Sequence, residues 1–79
     1  MARFQVDRVT TDYSEGLRTT QSVQIETPYT QDYEAMKRHA VRAAKAAVGL
    51  SGVRGKAQWL SGNVCEWRKP GESVLIFAL

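Results

Sequence analysis

This chain of 79 residues has few cysteines and histidines and no long apolar run. It has one cysteine, Cys65, and one histidine, His39, so it cannot form an internal disulfide, and these two side chains cannot hold a metal ion unaided. Its longest apolar run, Val74–Leu79, is far shorter than the roughly 20 residues that a transmembrane helix needs. No apolar leader segment is present near the N-terminus. We therefore expect an intracellular, cytoplasmic protein with no membrane span, no bound metal and no cofactor.

Patterns for catalysis and phosphate binding are also missing. No nucleophile can be placed beside His39 from sequence spacing, and Cys65 is expected to face the core as an inert thiol. The glycines between Gly49 and Gly55 follow a predicted helix, whereas phosphate-binding loops lead into a helix N-terminus. We therefore expect no catalytic residues and no enzymatic activity.

The composition predicts a single folded domain covering residues 1–79. Hydrophobic residues make up 43% of the chain and charged residues 24%, which is typical of globular proteins. The formal net charge of +3 is a modest basic excess. It permits acidic partners without requiring them.

One long helical period stands in the middle of the chain. It predicts a helix over Thr30–Gly49, with Thr30 as the N-cap. Apolar residues recur there at three- and four-residue steps, which places them on one side of the helix. This predicted buried face consists of Tyr33, Met36, Ala40, Ala43, Ala44 and Ala47.

Two strands are predicted before the helix. Ala2–Thr11 alternates between apolar and polar residues until Val9 breaks the parity, and a bulge or a sharp twist near Arg8 would reconcile the two halves. Asp12–Gly16 has the composition of a hairpin loop. Leu17–Thr27 alternates again, with its odd positions facing the core.

Turn residues divide the C-terminal segment. They predict three strands: about Lys56–Leu60, Val64–Arg68 and Ser73–Leu79. A rival interpretation joins the first two into one long strand with a bulge at Gly62. Around Pro70 we expect a loop longer than a tight hairpin, because an L-Pro-Gly type II turn has the wrong twist for one.

Together these elements predict an α+β fold. A single helix would pack on one face of a mainly antiparallel sheet of four or five strands, in the order ββαββ or ββαβββ. In the hairpin version Trp59 lies opposite Cys65, and Trp67 lies opposite Ala57. Both indoles would then pack against the alanine-rich face of the helix.

Basic residues are the strongest functional feature of the sequence. The predicted partner-binding residues are Lys37, Arg38, Arg42, Lys45, Arg54 and Lys56. The first four fall on the helix side away from the apolar face. Arginine guanidinium groups can form bidentate bonds with carboxylate or phosphate. An ordinary solvated helix face is the alternative interpretation.

The layout of the chain resembles that of small phage-encoded type I anti-CRISPR proteins. The resemblance lies in residues 23–48, VQIETPYTQDYEAMKRHAVRAAKAAV, where a strand passes directly into the helix, and in the strand segments around Trp59 and Trp67. It implies a non-enzymatic inhibitor that binds a host CRISPR-Cas surveillance complex and blocks target DNA binding or nuclease recruitment. The implied partner is a host protein or ribonucleoprotein in the host cytoplasm.

Two other functions stay open at this point. A small nucleic-acid-binding module could use the same basic face. A structural or assembly protein could form a homodimer through Leu75, Phe77 and Leu79, because these side chains would emerge on the sheet face away from the helix.

Overall fold

The computed structural model describes residues 1–12, 14 and 16–79, with the backbone alone described at positions 12 and 17. Part of the predicted hairpin loop, at positions 13 and 15, lies outside the described residues. The elements are β1 (Ala2–Asp12), β2 (Gly16–Thr27), α1 (Tyr33–Ala47), β3 (Lys56–Trp59), β4 (Val64–Lys69) and β5 (Glu72–Ala78). Within the described part of the chain, no helix is long and apolar enough to cross a membrane.

The strands form one five-stranded sheet in the order β2-β1-β5-β4-β3, and every neighbouring pair is antiparallel. The helix packs on one face of this sheet. The predicted α+β class and the ββαβββ order are therefore confirmed, and the four-stranded ββαββ alternative is wrong. β5 is the last strand in the chain, yet it lies in the middle of the sheet between β1 and β4.

A bulge is present beside Arg8, but it lies in β2 and not in β1, where the sequence predicts it. The register with β2 shifts between Arg8, which lies opposite Gln21, and Val9, which lies opposite Thr19. Thr20, the extra residue on β2, donates from its hydroxyl to the carbonyl of Arg8 at 3.2 Å. β1 itself alternates regularly, so Val6 and Arg8 face the helix side while Val9 faces away from it, and the predicted restoration of parity at Val9 is wrong.

Asp32, and not the predicted Thr30, caps the helix N-terminus. Its carboxylate accepts from the backbone N–H groups of Glu34 at 3.0 Å and Ala35 at 3.3 Å. Thr30 instead donates from its hydroxyl to the carbonyl of Asp32. The helix begins at Tyr33 and ends at Ala47, so the predicted bounds Thr30–Gly49 were too wide at both ends.

The buried stripe of the helix is narrower than predicted. Ala40 and Ala44 are fully buried, but Tyr33 and Ala47 are exposed. Tyr33 lies at the margin of the sheet, where its hydroxyl donates to the carbonyl of Gly62 at 2.8 Å. The core consists of Ala2, Phe4, Val6, Ala40, Ala44, Val48, Leu50, Cys65, Trp67, Val74 and Ile76.

The two indoles differ in burial. The predicted pairing of Trp59 with Cys65 and of Trp67 with Ala57 is confirmed. Trp67 is 2% exposed, as predicted, whereas Trp59 is only half-buried. The reason is that α1 packs mainly over β2 and β5 and leaves β3, at the edge of the sheet, uncovered.

The connection between β4 and β5 is a tight hairpin, so the predicted longer loop is wrong. Lys69 lies opposite Glu72, which leaves only Pro70 and Gly71 in the turn. Gly71 has a φ of 82°, which glycine adopts without steric cost. The carbonyl of Gly71 also accepts from the N–H of Thr11 at 3.1 Å, so β1 holds the turn in place.

Candidate partner-binding groove

A groove of about 640 Å³ runs between α1 and the edge strand β3. It exists because the helix covers only one half of the sheet and because Ala57 fills little of the space beside it. Its floor is formed by Ala57 and the half-buried Trp59. Its helix wall carries Glu34, Lys37, Arg38, Val41, Arg42 and Lys45. Four of the six predicted partner-binding residues are thus brought together.

Arg38 and Arg42 are the free cations of this wall. Both side chains are exposed, and neither makes a hydrogen bond or an ion pair with any other described residue. They lie four positions apart on α1, which corresponds to a rise of about 6 Å. Glu34 is the one acid among the residues that line the groove, and its carboxylate lies beside Lys37, so the two adjacent guanidinium groups leave a positive potential for an anionic partner to neutralise.

Lys37 is held against aromatic rings. Its ammonium lies 4.6 Å from the centroid of the Tyr33 ring and 5.5 Å from that of Trp59. It also lies 3.5 Å from a carboxylate oxygen of Glu34. These neighbours already interact with the ammonium of Lys37. Lys37 therefore forms part of the groove wall but is less available than Arg38 and Arg42 to bind an anion.

Lys45 anchors the loop that follows the helix. Its ammonium donates to the carbonyl of Val53 at 2.7 Å and lies 5.1 Å from the centroid of the Trp67 ring. Its side chain is half-buried. Lys45 therefore holds the loop against the core. Its main role is to stabilise this part of the fold, and its role in the groove is secondary.

Arg54 and Lys56 lie outside the groove. They line a separate depression on the surface together with Arg68, Lys69 and Pro70. Lys56 lies directly opposite Arg68 in the β3–β4 pair. The structure thus separates these two predicted partner-binding residues from the four on the helix wall.

A small aromatic cup continues the groove beyond the start of α1, and the sequence reasoning missed it. Its volume is about 190 Å³, and it shares Lys37 and Trp59 with the groove. Tyr29 and Tyr33 line its outer side, with 71% and 46% of their surface exposed. Two tyrosines flanking the helix start are the sequence signal for it, but helical periodicity alone places Tyr33 on the buried face.

Arg8 on β1 contacts the C-terminal end of the helix, a feature that sequence reasoning missed. Arg8 donates to a carboxylate oxygen of Glu72 at 2.8 Å and to the carbonyl of Val48 at 2.9 Å. This places a cation at the negative end of the helix dipole. The hydrogen bond from Arg8, more than any other influence, lowers the pKa of Glu72 below its usual value.

Cys65 is not a reactive group in this environment. It is completely buried in the core, and burial raises the pKa of its thiol above the ordinary value. A thiol with a raised pKa is a poor nucleophile near neutral pH. Among the described residues, no group of three or more His, Cys, Asp or Glu side chains converges on a position where a metal could bind.

The chain matches no protein-family model, no curated protein and no solved structure. A function for the chain is therefore inferred from the groove itself.

Proposed function

We propose that this chain is a non-enzymatic protein that binds an anionic surface of a macromolecular partner through the groove between α1 and β3. The observation that carries this proposal is the pair Arg38 and Arg42, which are exposed, adjacent and unpaired among the described residues. Their charges meet the anionic groups of a partner without first breaking a bond within the chain. The helix that carries them is fixed to the sheet by Ala40 and Ala44, so the two guanidinium groups sit on a rigid element.

The layout resemblance suggests a specific partner for this binding. We propose that it is a host CRISPR-Cas surveillance complex in the host cytoplasm, with target DNA binding or nuclease recruitment blocked as the result. An acidic patch on a Cas subunit, or the phosphates of guide RNA or target DNA, would complement the positive wall of the groove.

The test adds this protein to purified type I surveillance complexes and measures target DNA binding and nuclease recruitment. We expect one of the complexes to bind this protein stoichiometrically and to lose one of the two activities. The double variant Arg38→Glu plus Arg42→Glu should fold normally and lose binding by at least about 100-fold, because two attractive contacts become repulsive. Absence of binding to every complex would contradict the CRISPR proposal.

A matched control separates the groove from general basicity. Arg54→Glu plus Lys56→Glu makes the same change in net charge but lies outside the groove. We expect this variant to keep its affinity to within about threefold. An equal loss in both double variants would assign binding to net charge and would contradict the proposed role of the groove.

Direct nucleic-acid binding is a second candidate function, and the aromatic cup favours it. Tyr29, Tyr33 and Trp59 lie next to the cations of α1, and aromatic rings beside a positive groove can stack with unpaired bases. Salt titration of binding to random duplex and single-stranded DNA tests this candidate. Affinity that falls steeply with salt would support phosphate contacts. Absence of binding at low salt would exclude it.

Homodimerisation is a third candidate function, in which the chain acts as a structural or assembly protein. Leu75 and Phe77 point to the sheet face that no described element covers, and Leu79, at the end of β5, is 67% exposed. A dimer through these side chains would have twice the chain mass of 8.8 kDa in light scattering. A monomer at high concentration would contradict this role.

A further inference from the structure

The outer side of β3 has backbone groups without a strand to pair with. Among the described strands, β3 pairs with β4 alone. The N–H of Leu60 donates to the carbonyl of Val64 at 2.9 Å, which directs Leu60 toward β4. Along an antiparallel strand the backbone N–H and C=O groups of successive residues point alternately to one side and the other. The backbone groups of Gln58 therefore also point toward β4, whereas those of Ala57 and Trp59 point outward, away from the sheet.

The side chains of Ala57 and Trp59 form the floor of the groove. Residues paired across neighbouring strands share a face of the sheet, so a segment lying opposite Ala57 and Trp59 would direct alternate side chains into the groove. Those side chains would meet the wall that carries Arg38 and Arg42. Acidic side chains at alternate positions fit this arrangement because the two guanidinium groups are unpaired within the described chain.

We propose that the groove receives an extended acidic segment of a partner protein, which adds to the edge of β3 as a sixth strand. Backbone bonds to Ala57 and Trp59 would supply affinity for any extended chain. Contacts with Arg38 and Arg42 would select acidic residues at positions i and i+2 of the segment. This inference rests on the proposed function, since it names the partner chemistry for the same groove.

A second copy of this chain is a poor occupant for the same edge. β3 has only four residues and begins with Lys56, and the chain carries a net charge of +3. Short strands and edge lysines disfavour pairing between identical copies. A nucleic acid could meet the cations of α1, but it would not form a strand ladder with the backbone of Ala57 and Trp59. A protein segment would form hydrogen bonds with the backbone amides of these two residues and a nucleic acid would not, so protection of the amides distinguishes the two occupants.

The first test uses three probes on isotope-labelled protein in solution. They are a nine-residue peptide of alternating Glu and Thr, the same peptide with Gln in place of Glu, and a ten-nucleotide oligothymidine. We expect the acidic peptide to shift the amide resonances of Ala57 and Trp59 and to slow their hydrogen exchange. The Gln peptide should bind at least about tenfold more weakly. Acidic-peptide binding that leaves these two amides unprotected would overturn the proposal, as would occupation of the groove by oligothymidine alone.

The second test changes the edge without changing any charge. Ala57→Pro removes an outward N–H and leaves the bonds between β3 and β4 in place, and proline is tolerated at such edge positions. We expect at least about a tenfold loss of peptide affinity, whereas Ala57→Ser should retain it. Thermal unfolding shows whether each variant is folded. If Ala57→Pro does not fold, the amide protection in the unmodified chain decides the question.

The two proposals can fail separately. If Ala57→Pro is folded and binds the surveillance complex normally while Arg38→Glu plus Arg42→Glu does not, strand addition is wrong and the binding role of the groove stands. If all of these variants bind normally, the groove is not the binding site and both proposals are wrong.

Discussion

Gly55 lies against the indole of Trp67 more closely than any other residue type could. A Cβ atom at this position would lie 2.4 Å from Cζ2 of Trp67 and 2.7 Å from the carbonyl oxygen of Arg68. We expect Gly55→Ala to lower the free energy of unfolding by about 1–3 kcal/mol, as overpacked sites do, in urea denaturation. Gly62→Ala is the control, because the nearest atom there is the hydroxyl of Tyr33 at 3.3 Å, at the end of a movable side chain. An equally stable Gly55→Ala would contradict this packing.

Lys45 is expected to contribute to stability and little to binding. Lys45→Met keeps most of the aliphatic side chain but removes the bond to the carbonyl of Val53. We expect a loss of about 1–2 kcal/mol in the free energy of unfolding, measured with urea. Arg42→Met, on the exposed side of the same helix, should change stability by less than about 0.5 kcal/mol. The opposite order would show that Lys45 is an ordinary surface cation.

Glu72 is expected to make stability depend on pH in the acidic range. The bond from Arg8 lowers the pKa of Glu72 in the folded state relative to the unfolded chain. The resulting stabilisation is present above the ordinary carboxyl pKa and is lost as the pH falls through the lowered folded-state value. Urea denaturation at a series of pH values from neutral to strongly acidic should show this loss. Glu72→Gln should flatten the dependence, and an unchanged pH profile in that variant would contradict the assignment.

At the scale of elements, the Asp32 cap at the helix N-terminus makes a measurable contribution to stability. Asp32→Ala removes the acceptor for two backbone N–H groups, and we expect it to destabilise the protein by about 0.5–2 kcal/mol. Thr30→Ala should cost less because the Thr30 side chain bonds only one carbonyl before the helix. Thermal unfolding of both variants checks this order. A larger loss of stability in Thr30→Ala would contradict the assignment of Asp32 as the N-cap.

Local regularities made most of the elements predictable. The parity break at Val9 indicates an irregularity near Arg8, because strand side chains alternate with a period of two, but it does not reveal that the extra residue lies in the partner strand β2. The turn residues around Gly62 likewise predicted the pairing of Trp59 with Cys65. The N-cap was mistaken because Thr30 and Asp32 both have acceptor oxygens that suit this role.

Contacts between distant parts of the chain were not predictable in this way. Helical periodicity indicated that Ala40 and Ala44 are buried, but it carries no information about which strands lie beneath them. The half-exposure of Trp59, and therefore the groove itself, depends on that lateral position. Arg38 and Arg42 were correctly placed on the helix, whereas the role of Lys45 depends on the path of a loop that no local pattern specifies.

At the scale of the whole molecule, the sheet depends on β5, the fifth of its strands in chain order. β5 pairs with β1 and with β4, and these two strands are otherwise not bonded to each other. A chain truncated after Gly71 should therefore lose the cooperative unfolding transition of the full chain. Circular dichroism during heating checks this expectation, and a truncated chain that melts cooperatively would contradict it.

The central place of β5 also bears on how the sheet folds. Its pairing with β1 joins residues that are far apart in the chain, since Phe4 lies opposite Ala78. Bringing such distant segments together costs more loop-closure entropy than forming a hairpin between neighbouring strands. We therefore expect the pairing of β1 with β5 to limit the folding rate, because proteins dominated by non-local contacts fold slowly.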